Sequence, residues 1–437
     1  MSSPTRSGIK HLLSLRDELT LLIDRIAQAE EQEPLPALDD LSSPPAPPGP
    51  ATMQALSVTK ELLSLLQGSA GPLDKAFAFH VSSCLRVAIE AHVAETLREA
   101  AEEGKKALHV EEIAKSSCVN ATKLARVLRN LAANYVFIEV EPDTFALNRP
   151  ALFLDTGRSV KELKETKDFY SGTNGTAAMI AHTADDAMKG SAFLADALLD
   201  PATANSFSPA ETGISRALRI DVPIWGYWGR EGNEHLSARF DRAMWATKTL
   251  SLGFSPLQGF PFKDLPDGAT IVDVGSGVGT VSIEIAKAIP QIKVIWEETV
   301  PEVVKEGRVD FAPHDFFTEQ PVRGAAVYLL RAIIHDWAEE YAIKILQQLS
   351  TAASPTSRLL LIEQTYTYVP PSGRTPSSLP YAIDMQMLVA LNAQERTKEQ
   401  YEALADKAGW RLVEVWKTGP GGEVEGAFRH YEFALKE

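Results

Sequence analysis

The sequence predicts an α/β fold, a doubly wound and mainly parallel sheet in the C-terminal half, preceded by a mainly helical segment that ends in a winged helix. Three observations carry this expectation. From residue 256 onward, short apolar runs alternate with stretches of helical periodicity, the pattern that builds parallel sheets through crossover helices. One run, Ile271-Val272-Asp273-Val274, breaks into Gly275-Ser276-Gly277-Val278-Gly279-Thr280 and continues as the amphipathic stretch 281–288. Upstream, 107–148 reads as two short helices followed by a two-stranded ribbon.

Each element has a local reason. Leucines and isoleucines at helical spacing predict a helix over 8–31, ending in an acidic run. Prolines crowd 34–50 into a connector without internal hydrogen bonds. Helical patterns resume at 53–68 and 73–101, where Ala76, Phe77, Phe79 and Val81 begin an apolar face. Val110–Lys115 predicts a short helix, Asn120 an N-cap, 121–134 a second helix, and 137–140 with 144–147 a ribbon. Residues 160–255 predict mostly helical connecting structure. Singly, its aromatics Trp225, Tyr227, Trp228, Phe240 and Trp245 read as packing, and as a group they could wall an aromatic ligand. Strands follow at 270–274, 292–296, 308–312, 325–330 and 358–363, with a late pair at 411–417 and 427–434 as an antiparallel edge.

Bulk properties exclude several functions. A length of 437 residues implies two domains. A net charge of −15 opposes non-specific nucleic-acid binding, which needs basic surface. The winged helix has Lys123, Arg126 and Arg129, but its wing carries Glu139, Glu141 and Asp143. The two cysteines, Cys84 and Cys118, build neither a disulfide framework nor a zinc site, which points to a reduced, cytoplasmic setting. No uncharged span of membrane length and no secretory signal is visible at the N-terminus. No metal is expected, because Asp315 and Asp336 lack clustered oxygen ligands.

The glycine turn brings backbone N–H groups and a helix N-terminus to a ligand, and a Cβ would block that approach. Its spacing, Gly275-x-Gly277-x-Gly279, departs from the G-x-G-x-x-G of dinucleotide sites and points to a nucleoside cofactor without a pyrophosphate. Four further motifs follow: Phe311-Ala312-Pro313-His314-Asp315-Phe316-Phe317; Leu329-Leu330-Arg331 with His335-Asp336-Trp337; Glu363-Gln364 closing an apolar strand; and Glu395-Arg396-Thr397. Together these motifs resemble the small-molecule O-methyltransferases that use S-adenosylmethionine, in particular fungal members of the cation-independent caffeate-type family. The resemblance runs from near residue 70 to the C-terminus.

The resemblance implies a Rossmann-like catalytic domain at 256–437, a helical connector lining an acceptor pocket at 161–255, and a winged-helix dimerisation domain at 51–160. An N-terminal helix and linker precede these at 1–50. It also implies a homodimer and a phenolic or enolic small-molecule acceptor. A phenol has a pKa of about 10, so at neutral pH it needs a base, and an imidazole of pKa about 6.5 can serve. The resemblance assigns that role to His335, flanked by Glu363 and Glu395. It places Asp273, Gly275 and Gly277 in the cofactor loop, Asp315 and Phe316 at the adenine, and Arg331 near the cofactor's carboxylate. Met244, Trp245, Met387 and Asn392 fall at the acceptor. Asp336 reads as a cap or turn of the following helix. One departure stands out: the segment after Lys293-Val294-Ile295-Trp296 is shortened, so that either Glu297 replaces the acid that holds the ribose or the ribose is not held and cofactor affinity suffers. Two other readings follow from that departure, a methyltransferase-fold enzyme performing pericyclic or dehydration chemistry, and a non-catalytic dimerising protein.

Overall fold

The apolar runs of the C-terminal half assemble into one seven-stranded sheet in the computed structural model. The structure describes residues 8–29, 35–42, 49–166, 168–250, 255–277, 279–289, 291–296, 309–367, 378–418 and 428–437. They divide between two units, one drawn from 8–188 and 231–250, the other from 189–230, 255–367 and 378–437. The stretch 161–255, expected as a single connector, is therefore split between them.

In the first unit, the helices Gly8–Gln28 and Pro50–Gln67 pack through Leu15, Leu22, Ala55 and Val58. The helical pattern expected over 73–101 forms three helices, Gly71–Phe77, Phe79–Glu90 and Val93–Glu102. His92 stands at the second break in the left-handed region, with φ 56°. The break turns Ala88 and Ile89 on one side, and Val93, Ala94 and Leu97 on the other, into one core, a tertiary gain that overrides local helix propensity. Phe77 and Phe79, expected to begin an apolar face, are more than half exposed, while Val81 packs on the core. The winged helix forms as expected. Asn120 caps Ala121–Ala133 by accepting from the Lys123 N–H at 3.3 Å. The ribbon strands β2 (Ile138–Glu141) and β3 (Thr144–Ala146) pair with each other, and β1 (Leu108–His109) pairs with β3. Arg129 of the second helix is neutralised by Glu139 at 2.7 Å and Asp143 at 2.8 Å, so the wing acids consume its charge. Deeper in this unit, a π-helical turn at Thr183–Ala187 buries Asp185 and Asp186 against Arg239, at 2.9 and 3.4 Å, with Arg86 also on Asp185.

In the second unit the strands are β4 (Thr270–Asp273), β5 (Lys293–Trp296), β6 (Val309–Phe311), β7 (Val327–Arg331), β8 (Arg358–Gln364), β9 (Trp410–Lys417) and β10 (Phe428–Leu435), in spatial order 6-5-4-7-8-10-9. The first five are parallel, and β10 runs antiparallel to both β8 and β9. Burial on both faces explains the unbroken apolar runs: Ile271, Val327, Leu329, Leu360 and Ile362 face one core, and Val272, Tyr328, Leu330, Leu359 and Leu361 the other. The order reverses at β4, so ligands of such a sheet bind beyond the C-terminal ends of β4 and its neighbours. Asp273, Arg331 and Glu363 stand at those ends. Among the described residues no helix is long and apolar enough to cross a membrane.

Candidate active site

His335 is carried by a short turn just past the end of β7. Ala332 follows the strand with φ 50°, a left-handed conformation that an alanine adopts at a cost, and donates its N–H to Ile362 at 3.0 Å. The 3-10 turn Ile334–Asp336 comes next. Its start is held by Glu363, whose Oε1 accepts the N–H groups of Ile333 at 3.1 Å and Ile334 at 2.8 Å. The His335 Nδ1 lies 2.7 Å from Oε1 of Glu395, and its Nε2 lies 3.5 Å from Oδ1 of Asp336. Residues 335, 363 and 395, far apart in the chain, are thus brought together.

Asp336 does not cap the following helix. That helix, Glu339–Ala352, takes Ala338 as its N-cap with no side-chain cap. Asp336 stands two residues before that cap, and its carboxylate lies beside the imidazole instead. Glu395 could also have been a carboxylate near a helix N-terminus. Thr397 takes the capping role for Lys398–Lys407, in a capping box with Gln400, and Glu395 is buried beside His335.

Three carboxylates around one imidazole perturb one another. Burial by itself would depress the His335 pKa, but the charges of Glu395, Asp336 and Glu363 outweigh it and raise it to about 10. Burial pushes Glu363 up to about 7 and Asp336 up to about 6, partly offset by the imidazolium. One oxygen each of Glu363 and Glu395, Oε2 in both, is buried with no hydrogen-bond partner among the described residues. The carboxylates therefore favour the protonated ring, and the cluster titrates as a unit.

The glycine loop lies beside this turn. Gly275, Gly277 and Gly279 all have positive φ, at 67°, 51° and 70°, which accounts for glycine at each. A Cβ on Gly275 would lie 2.8 Å from Cδ1 of Ile333, two residues before His335, so the loop and the turn are packed together. Asp273 is fully buried, accepts from the Ser282 hydroxyl at 2.6 Å, and is pushed up to about 6 by burial. Arg331 lies over the Phe428 ring, 5.1 Å from its centroid, in the field of Asp273 and Glu363. Asp315 caps its own turn, accepting from the Phe317 N–H at 3.0 Å. Phe316 packs edge-on against Phe317 and Trp337 at 5.0 and 5.8 Å. A bare, left-handed loop beside a buried carboxylate and an aromatic ring fits a nucleoside cofactor. Glu297, expected as the ribose acid, lies outside the described residues.

Of the expected acceptor residues, Met387 sits half-buried on the helix Leu379–Leu391. Asn392 ends that helix with φ 52°, and its amide nitrogen is committed to the carbonyls of Ser208 at 2.8 Å and Glu211 at 3.1 Å. Met244 and Trp245 lie on Glu234–Leu250, which belongs to the other unit, where the Arg242 guanidinium stacks on Trp245 at 5.2 Å. Trp225 and Trp228 pack on each other edge-on at 5.2 Å. The sequence reading missed Asp336 beside the imidazole, and also Asp384, which accepts the Glu395 N–H at 2.8 Å. A lone acid within the apolar helix Leu379–Leu391 was the signal for Asp384. Among the described residues, no group of three or more His, Cys, Asp or Glu could hold a metal ion.

Sheet order, glycine turn and the acid–base cluster at the strand ends define a class: a doubly wound enzyme fold that binds a nucleoside cofactor at its topological switch point. Comparison with known proteins makes the class particular. A family model of the O-methyltransferase domain matches residues 194–411, and one of the O-methyltransferase dimerisation domain matches 73–151. An O-methyltransferase of Armillaria gallica is 35% identical over 78% of this chain and 79% of its own. A 4-O-methyltransferase of Phanerochaete chrysosporium is 31% identical over 94% of this chain and 97% of its own. A solved structure described as a pericyclic reaction enzyme superposes with a TM-score of 0.72, covering 97% of this chain and all of that one, at 20% identity, a likeness of fold alone. The chain belongs to the O-methyltransferase family. Its cofactor is S-adenosylmethionine.

Proposed function

We propose that this protein methylates a phenolic or enolic hydroxyl of a small molecule, with His335 as general base. The observation that carries the reading is the 2.7 Å contact between His335 Nδ1 and Glu395. A carboxylate there accepts the Nδ1–H and leaves Nε2 as the nitrogen that takes a proton. The acceptor's O–H gives its proton to Nε2 as the oxygen becomes nucleophilic, and Glu395 and Asp336 stabilise the imidazolium that results. A His335 pKa of about 10 matches that of a phenol, also about 10, so the transfer is nearly balanced. Glu363 contributes by fixing the turn through two backbone N–H groups.

Asp273, Gly275, Gly277, Asp315, Phe316 and Arg331 are the residues assigned to S-adenosylmethionine, with Glu297 as the candidate ribose acid. Bound there, the cofactor supplies the electrophilic methyl group. Met387 and Asn392 are assigned to the acceptor side. The segment matched by the dimerisation family, 73–151, is assigned to a homodimer interface.

The test is a panel of phenols incubated with donor labelled in its methyl group, with products read by mass spectrometry. Label on an acceptor oxygen, lost in His335→Ala, is the expected result. Acceptor converted without label would place the protein among the fold's pericyclic or dehydrating enzymes. No donor binding by calorimetry at millimolar concentration would remove the assignment of the loop. Light scattering of the full chain reads the dimer.

A further inference from the structure

Two side chains beside His335 have no part in the reading above. Arg396 is 1% exposed, the most deeply buried arginine or lysine among the described residues. Its Nη1 donates to the carbonyl of Ile334 and its Nη2 to that of Trp337, each at 2.7 Å. Those two carbonyls bracket His335 and Asp336, so one planar fork spans the turn that carries the imidazole. A guanidinium can reach two acceptors in fixed geometry, whereas an ammonium is a single point charge. The backbone of Arg396 is itself anchored. It bridges Thr365 in parallel pairing and accepts the Tyr366 N–H at 2.9 Å, just past the end of β8, the strand whose Glu363 holds the other side of the same turn.

Asp384 acts on the partner of the ring. Half-buried on the helix Leu379–Leu391, it accepts the N–H of Glu395 at 2.8 Å and so fixes the backbone from which the Glu395 carboxylate reaches Nδ1. Burying a charged group is costly unless hydrogen bonds compensate it. Both charges here are spent on backbone groups of the two segments that must meet, and among the described residues neither makes an ion pair by direct contact.

We propose that Arg396 and Asp384 are positioning residues for the His335–Glu395 pair: Arg396 sets the turn that bears the imidazole, and Asp384 sets the segment that bears its carboxylate. The proposal rests on His335 being the base. It goes beyond that reading by assigning the orientation of the ring to two residues that act through backbone groups of Ile334, Trp337 and Glu395.

The experiment uses full-length protein with isotope-labelled histidine and compares Arg396→Lys, Arg396→Met, Asp384→Ala and Asp384→Asn with the parent. The His335 ring proton shared with Glu395 is assigned by its loss in His335→Gln. In the parent it resonates at low field. Both Arg396 variants shift or broaden it and lower kcat about 10²-fold, the scale expected for misplacement of a reacting group, while acceptor KM and donor Kd stay within about twofold. Asp384→Ala does the same, and Asp384→Asn, which keeps an accepting oxygen, recovers most of the loss. Should Arg396→Met fail to fold, Arg396→Lys, which keeps the charge and loses the fork, carries the test. A folded Arg396→Lys with an unmoved ring resonance and parental kcat overturns the assignment of Arg396, and a parental Asp384→Ala overturns that of Asp384. If the parent itself transfers no methyl group, the reading of the base fails, and the ring resonance alone still decides whether these two side chains hold the imidazole.

Discussion

Glu395→Gln separates charge from geometry at the proposed base. The amide keeps the size of the carboxylate and an oxygen able to accept from Nδ1–H, but it removes the charge that ranks first among those raising the imidazole. That pKa stands at about 10 against an ordinary 6.5, even though burial works against it and the side chain is only 17% exposed. The net rise corresponds to about 5 kcal/mol in favour of the imidazolium. Glu395 supplies the largest share among three carboxylates, so its loss lowers the pKa. The sign of the kinetic effect follows. At pH values below that pKa an imidazolium faces a neutral phenol with one proton too many, so kcat/KM climbs with pH toward about 10 in the parent enzyme. In Glu395→Gln the climb ends at lower pH, and its plateau falls about tenfold because a weaker base removes the proton less effectively. The assay is methyl transfer to a simple phenol between pH 6 and 10.5, at saturating donor and limiting acceptor. A limb that stays in place, or moves to higher pH, refutes the electrostatic account of His335.

Stability has its own pH dependence. The His335 pKa is raised on folding, so the stabilisation it brings is complete below about 6.5 and lost as pH rises through about 10. Glu363, raised to about 7, loses its contribution earlier, as pH climbs from about 4.5 through 7. Melting temperature should therefore fall from pH 7 to 10 more steeply in the parent than in His335→Gln, and equal slopes would contradict this. Gly275→Ala forces φ 67° on a residue with a Cβ and presses it to 2.8 Å from Ile333, costing about 1–2 kcal/mol of stability and about tenfold in donor affinity. Calorimetry with an unchanged dissociation constant would show the donor bound elsewhere. Arg239→Met removes the cation that lies 2.9 Å from Asp185 and 3.4 Å from Asp186 in a buried setting, for a loss of about 3–5 kcal/mol in denaturant unfolding. A loss under about 1 kcal/mol would show those acids to be protonated or hydrated.

What the chain determined by itself is whatever depends on neighbours in sequence. Leu359–Ile362 announces a strand buried on both faces because every residue is apolar, and the glycines at 275, 277 and 279 announce left-handed backbone because other residues resist it. The caps at Asn120 and Thr397 are equally local, since each side chain reaches an N–H three residues on. Tertiary structure decided the rest. No periodicity marks His92 as a break, because a straight helix over 73–101 satisfies local propensity and only the core requires the turn. Asp336 read as a cap until the fold set an imidazole beside it. Glu395 and His335 are 60 residues apart, and Asp384 and Arg396 take their meaning from that pair. Proton affinity at such a site depends on burial and on charges converging through space, and these exist only once distant segments have packed.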